Sequence, residues 1–473
     1  MLLYERLADD LSTLIADGRV LPGERLPSVR LLSAQRRLSV STVVQALRTL
    51  ETRGLVEARP QSGYYVRRRA TQHLPAGRGK ARGPVAVSVT ARLIDILRDN
   101  EAAGMVPLGS ALPAPSLLCG PAITRLYARI ARQRPNVLDG SSHTDLNEPA
   151  LVRAIVRRSV ETGGAVTADE LVVTQSCSEA LALCLSVVTR PGDTVAVESP
   201  TYYVMLQMLE QMGLRALELP THPQTGVSLD ALDLATREGK VAACLLIPNG
   251  GNPLGSVMPD AHKQQLAALM AQRKVAVIED DIYGDLCQGA VRPRPLHAFD
   301  AAGNTLLCTS LSKTVSPALR LGYVAAGRRS GDILLAKTLM SGRTNPLTQQ
   351  VIAEFMESRG FDAHLRRLRR ELARQTARVR DAVLRHFPAG TRVSDPQGGF
   401  VLWLELPRGV DGMALHREAA IDRIAFVPGE LFAAGNRYRN CIRLACGHPF
   451  DARMEAAIAR LGELAGRQAR RAT

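Results

Sequence analysis

No stretch of this sequence approaches the ~20 consecutive apolar residues of a membrane-spanning helix. Its first residues, Met1 to Arg6, show no basic start leading into an apolar run, so neither a membrane span nor a secretory leader is expected. Paired cysteines are missing too. Eight cysteines are scattered over 473 residues without a Cys-x-x-Cys spacing. That argues against a metal site and a disulfide framework, and fits a reducing cytoplasm. Aromatic residues are scarce at 4%, yet 46% hydrophobic and 22% charged residues make an ordinary globular composition. At roughly 100–200 residues per domain, the length suggests two to four domains.

Acidic excess is also lacking: the formal net charge is +15. It is unevenly spread. Residues 1–83 hold 15 Lys and Arg against 7 Asp and Glu, a net +8. Such asymmetry points to a polyanionic partner at that end, the alternative being a solvated basic surface.

The first 70 residues read as three helices and a hairpin. Leu7, Leu11, Leu14 and Ile15 form one apolar helical face. Ser28 reads as an N-cap after a Pro- and Gly-containing loop, opening a short helix from Val29 to about Arg36. A third helix comes next, with Val43, Ala46, Leu47 and Leu50 inward and Ser41, Gln45, Arg48 and Thr52 on another face, ending at Gly54. Residues 55–59 and 64–66 read as hairpin strands. This is the layout of a winged helix-turn-helix, whose third helix enters the major groove of double-stranded DNA. A small helical bundle for protein contact is the alternative. The segment Arg67 to Thr90, rich in Arg, Gly, Ala and Pro, reads as a basic flexible linker, here bounded at 71–95.

From residue 96 to 473 apolar β-rich runs alternate with helical segments, including Leu171–Thr174, Thr194–Val197, Val241–Ile247, Lys274–Ile278 and Thr305–Cys308. Continuous apolar strands between helices predict an α/β domain with a mostly parallel sheet. Ligands then sit beyond the carboxyl ends of the strands. The segments just past these strands are chemically rich: Ser176 and Cys177, Tyr202, Asn252, Asp280 and Tyr283, then Ser310, Ser312 and Lys313 with Arg320.

Two resemblances organise these residues. Leu26-Pro27-Ser28-Val29-Arg30, Ser39 to Thr42, Ala46-Leu47, Leu50 and Gly54 resemble the GntR family head. The resemblance implies DNA contacts from Arg30, Ser41, Thr42 and Gln45, and from a wing tip at Gln61, Ser62 and Gly63. Val40 stands where that family often has Arg. Residues 105–465 resemble fold type I aminotransferases through Asn252-Pro253-x-Gly255, Asp280-x-x-Tyr283, Ser310-x-Ser312-Lys313 and Arg320. That resemblance implies pyridoxal phosphate held as a Schiff base by Lys313, with Asp280 on the pyridinium nitrogen and Asn252 and Tyr283 on the ring hydroxyl. It implies Tyr202 stacked on the ring, and Ser176, Cys177, Ser310, Ser312 and Arg320 around the phosphate. Lys313, Asp280 and Tyr283 are the expected catalytic residues, and Arg443 the expected grip on a substrate or effector carboxylate. The phosphate loop departs from the usual Ser-Gly-Ala-Gln, reading Gln175-Ser176-Cys177-Ser178, and His143 lies where a tyrosine is usual.

A GntR-like head on an aminotransferase-like domain with a smaller C-terminal α+β subdomain resembles the MocR group of transcription regulators. The combination implies a cytoplasmic homodimer that binds an operator and senses an amine or amino acid through pyridoxal phosphate. Two other readings stay open: a working aminotransferase with a DNA-binding head, and a DNA-binding protein whose large domain is only a scaffold.

Overall fold

The computed structural model describes residues 3–16, 19–20, 23–53, 55–59, 62–67, 74, 83–88, 94, 96, 98–100, 102–138, 147–289 and 291–471. Its head has helices Leu3–Ala16, Val29–Arg36 and Val40–Thr52, then strands Val56–Arg59 and Gly63–Val66 paired antiparallel from Val56↔Val66 to Arg59↔Gly63. Ser28 and Ser39 cap the second and third helices, accepting the Leu31 and Thr42 amides. Arg37, at φ 52°, makes the left-handed turn between them. Leu7, Leu11, Leu32, Val43, Ala46, Leu47 and Leu50 close a core with Val56 and Val66 of the hairpin.

The large sheet runs Arg215–His222, Thr194–Ser199, Val241–Leu246, Ala276–Asp280, Thr305–Ser310, Gly322–Ala325, Leu171–Thr174. Within it only Gly322–Ala325 opposes the other strands. Leu171–Thr174, Thr194–Ser199 and Ala276–Asp280 are buried at every position, as a sheet covered on both faces requires. Helix Cys177–Val188 packs on one face with Met205, Leu206 and Ile333.

The expected linker is tied down at one point. Val85–Ala86 adds an antiparallel edge strand to Ala216 and Arg215, and Val87 enters the core beneath. Composition alone hides this, because an edge strand is held by main-chain hydrogen bonds that residue type does not report. The C-terminal subdomain is a four-stranded antiparallel sheet of Arg392–Val393, Val401–Glu405, Cys441–Ala445 and Val427–Pro428, covered by helices Gly412–Ile421 and Ala452–Arg471. The long helix Arg359–His386 reaches it from the large sheet's side. Among the described residues no helix is long and apolar enough to cross a membrane, and no cluster of three or more His, Cys, Asp or Glu could hold a metal.

Candidate functional site

Parallel strands deliver their last residues to one edge, and a cavity opens there. Ser176, Cys177, Tyr202, Asn252, Asp280, Tyr283, Ser310, Ser312, Lys313 and Arg320 all line it. Local structure places each. Ser176 caps helix Cys177–Val188, its Oγ accepting the Glu179 amide at 3.1 Å. A helix start points free amides and the positive end of its dipole into the cavity, which suits a phosphate. Gly322 lets this turn lie against the sheet: a Cβ there would stand 2.6 Å from Thr309 O and 2.8 Å from the Ser176 carbonyl carbon. Tyr202 immediately precedes helix Tyr203–Gln211 and packs at the rim of the core.

Asp280 ends its strand and is 4% exposed. Its Oδ1 accepts the Ile282 amide at 3.1 Å and the Cys177 thiol at 3.4 Å. Burial raises its pKa to about 6, while these two donors pull the other way. The next residue serves a different purpose. Asp281 pairs with Arg292 and accepts Asn249 Nδ2 at 2.9 Å, and buried Lys263 donates to Asn249 Oδ1 at 2.7 Å. Neighbours in extended chain face opposite ways, so one aspartate reaches the cavity and the other anchors the loop from behind.

Lys313 is half-buried, and its amine donates to Ala111 O at 2.8 Å. Burial lowers its pKa to about 8, and the Arg443 charge lowers it further than Asp280 restores it. A neutral amine is thereby within reach near neutral pH. Tyr283 shares a hydrogen bond with Asn252, whose Oδ1 is buried without a partner. Burial pushes the Tyr283 hydroxyl well above its ordinary range, so it stays a donor.

Arg443 does not line the cavity; it stands on strand Cys441–Ala445, entirely buried, with its guanidinium 5.8 Å from the Phe432 ring centre. Nη2 donates to Gly109 O, while Nε and Nη1 have no partner. Unmet buried donors on Arg443 and an orphaned Asn252 oxygen mark a site built for a polar ligand. These residues fit pyridoxal phosphate: an amine for its aldehyde, a carboxylate for its ring nitrogen, hydroxyl and amide groups for its ring oxygen, and hydroxyls, a helix start and Arg320 for its phosphate.

On the head, Arg30, Ser41 and Gln45 are exposed, and the Ser41 and Thr42 hydroxyls meet Ser39 Oγ at 2.8 and 2.7 Å. Ser62 bonds the Tyr65 hydroxyl at 2.6 Å next to Gly63 at the hairpin turn. Gln61 and Gly54 lie outside the described residues, as does His143.

The sequence reading placed Ser178 in the phosphate loop without giving it a role, and the residue also lines the cavity. That reading missed Glu198, buried, accepting the Ile247 amide at 3.0 Å and pushed by burial to about 8. It also missed Gly109 and Ala111, which act through carbonyls and leave no side-chain signal.

Comparison with known proteins respects the same division. Residues 3–66 match the family model for bacterial regulatory proteins of the gntR family, and residues 139–461 that for aminotransferase class I and II. The chain is 36% identical over 466 residues to the uncharacterized HTH-type transcriptional regulator YjiR of Escherichia coli, covering 98% of both chains. It is equally 36% identical to YdcR of that organism, again over 98% of each. Among solved structures, the α-aminoadipate aminotransferase LysN from Thermus thermophilus, complexed with N-(5'-phosphopyridoxyl)-L-leucine, superposes with a TM-score of 0.69 at 27% identity, covering 81% of this chain and 98% of that one.

Proposed function

The chain belongs to the aminotransferase class I and II family and carries a gntR-family head, the MocR arrangement of transcription regulator; from that premise we propose that it binds operator DNA and adjusts that binding to an amino acid met at Lys313. One observation supports this most: a half-buried lysine with a lowered pKa lies in a cavity with Asp280, Asn252 and Tyr283, in a chain that also presents Ser41, Thr42 and Gln45 on a capped helix.

Bound pyridoxal phosphate supplies an aldehyde that reacts with amines and a ring that withdraws electrons. The residues do the rest. Lys313 offers its neutral amine as nucleophile. Asp280, fixed by Ile282 and Cys177, holds a proton on the ring nitrogen. Asn252 and Tyr283 would orient the ring oxygen, Tyr202 would pack against the ring, and Ser176, Cys177, Ser310, Ser312 and Arg320 would hold the phosphate. Arg443 receives a carboxylate bidentately through Nη2 and one of its unmet donors, Nε or Nη1, in place of Gly109 O. Besides Lys313 and Arg320 no cation lines the cavity among the described residues, and Leu112, Val204, Ile282 and Pro317 are apolar. An amino acid with an uncharged side chain matches that lining.

The domains divide at 1–70, 71–95 and 96–473, and the working unit is a cytoplasmic homodimer, since two helix-turn-helix heads read half-sites about one DNA turn apart. The test is a titration of the protein with its own upstream DNA, with and without pyridoxal phosphate and a panel of amino acids. DNA affinity indifferent to every combination would sink the sensing role. A second reading, a working aminotransferase, is favoured by the unmet donors of Arg443, which a substrate carboxylate would satisfy equally. Steady conversion of an amino acid and a keto acid would establish it.

A further inference from the structure

Two backbone carbonyls on one loop hold buried Arg443 and half-buried Lys313. Gly109 O accepts from Arg443 Nη2, and Ala111 O accepts from the Lys313 amine at 2.8 Å. A carboxylate outcompetes a single carbonyl for a guanidinium, because it is charged and can take two donors at once. Gly109 O and a ligand carboxylate thus compete for one group.

This loop ends the segment through which the tether enters the large domain. Ile96, 2% exposed, packs with Tyr203, Leu254, Trp403 and Phe432, and Leu74 of the tether borders the same cluster, as does Tyr202 of the cavity. Asn100 Nδ2 donates to Phe426 O at 3.3 Å. Val106–Pro107 pairs with Ile424–Ala425, and Leu108 O accepts the Ala445 amide at 2.7 Å. A Cβ on Gly109 would stand 2.6 Å from the Asn100 amide carbon, so loop and Asn100 are in contact with no slack. Asn100 thus meets the Gly109 loop, and Ile96, four residues before it, shares a buried cluster with Leu74 of the tether.

We propose that residues 94–112 transmit occupancy of the site to the DNA-binding head. With the Lys313 amine engaged by the cofactor, Ala111 O would already be free, and Gly109 O is the anchor that an amino acid carboxylate on Arg443 displaces. The loop loses that anchor, and its shift reaches the tether through Asn100 and Ile96. The two states make mutually exclusive contacts, which gives the ligand the differential affinity that any coupling requires. The inference rests on the proposed effector role of the cavity.

Full-length Ile96→Ala and Asn100→Ala, loaded with pyridoxal phosphate, test it against wild type. The probe is whichever amino acid of a panel most changes the absorbance of the bound cofactor. The variants should keep that absorbance response with a midpoint within about threefold of wild type. Their fold-change in DNA affinity on adding the amino acid should fall to about one. A wild-type fold-change retained in both variants overturns the proposal. Hydrogen exchange on wild type covers variants that fail to fold: the amides of Val106 and Leu108 should exchange faster with the amino acid bound, and unchanged exchange across 94–112 overturns the proposal as well. If no amino acid alters wild-type DNA affinity, the effector role fails, and the exchange result alone decides whether site and segment are linked.

Discussion

Replacing Arg443 should slow the capture of pyridoxal phosphate even though Arg443 does not line the cavity. Burial comes first among the causes that lower the Lys313 amine from 10.5 to about 8, and the Arg443 charge comes second. At pH 7 an amine at 10.5 is neutral in roughly one molecule of 3000, and one at about 8 in roughly one of ten. The environment thus raises the reactive fraction by about 300-fold. Arg443→Met keeps length and burial but removes the charge. The pH midpoint of capture should rise above about 8 yet stay below 10.5, because burial remains. Each unit of rise cuts capture at neutral pH about tenfold. Arg443→Lys keeps a charge and should hold the midpoint near that of wild type, while losing the bidentate grip on a carboxylate. The assay mixes apo-protein with pyridoxal phosphate from pH 6 to 10, reduces with borohydride at intervals and quantifies the peptide modified at Lys313. A wild-type midpoint near 10.5, or one that Arg443→Met leaves in place, refutes this account of the lysine.

The geometry carries three further expected outcomes. Lys313→Ala should lose the borohydride-fixable cofactor and its bound absorbance; an unchanged spectrum excludes Lys313 as the attachment point. Lys263→Met should destabilise the large domain by about 2–4 kcal/mol in urea melts, since Asn249 Oδ1 and Arg294 O each lose a buried donor; a loss below about 0.5 kcal/mol contradicts the network. DNA affinity should fall steeply with salt, with a log–log slope of magnitude well above one, because the first 83 residues carry 15 basic groups against 7 acidic; a flat dependence argues against phosphate contacts.

The sequence exposed whatever the site does with distinctive side chains at strand ends. Lys313, Asp280, Asn252 and Tyr283 each come after an apolar run, and the sheet brings those runs to one edge. The head was equally legible, because its apolar spacing and the serines Ser28 and Ser39 mark helix faces and starts. Less was visible where main chain does the work. Gly109 and Ala111 contribute carbonyls, and Val85–Ala86 pairs an edge strand inside a stretch whose composition reads as linker. Lys263 was hidden for another reason. It sits in a helix that starts Asp260-Ala261-His262, where a lysine reads as solvated, yet it is fully buried because Asn249 and Arg294 O come from distant segments to meet it.

Sensing and turnover use the same residues, and thermodynamic reciprocity separates them. If an amino acid weakens DNA binding by some factor at equilibrium, saturating operator DNA must weaken that amino acid by the same factor. Coupling energies of about 1–3 kcal/mol correspond to roughly 5–150-fold in each direction. The amino acid is titrated by the absorbance of the bound cofactor, with and without operator DNA, and the DNA is titrated with and without the amino acid in the same buffer. Equal factors identify an effector in binding equilibrium with Lys313 and Arg443. Unequal factors that drift with incubation time mean the amino acid is being consumed, and the large domain is then an enzyme whose head answers to its turnover.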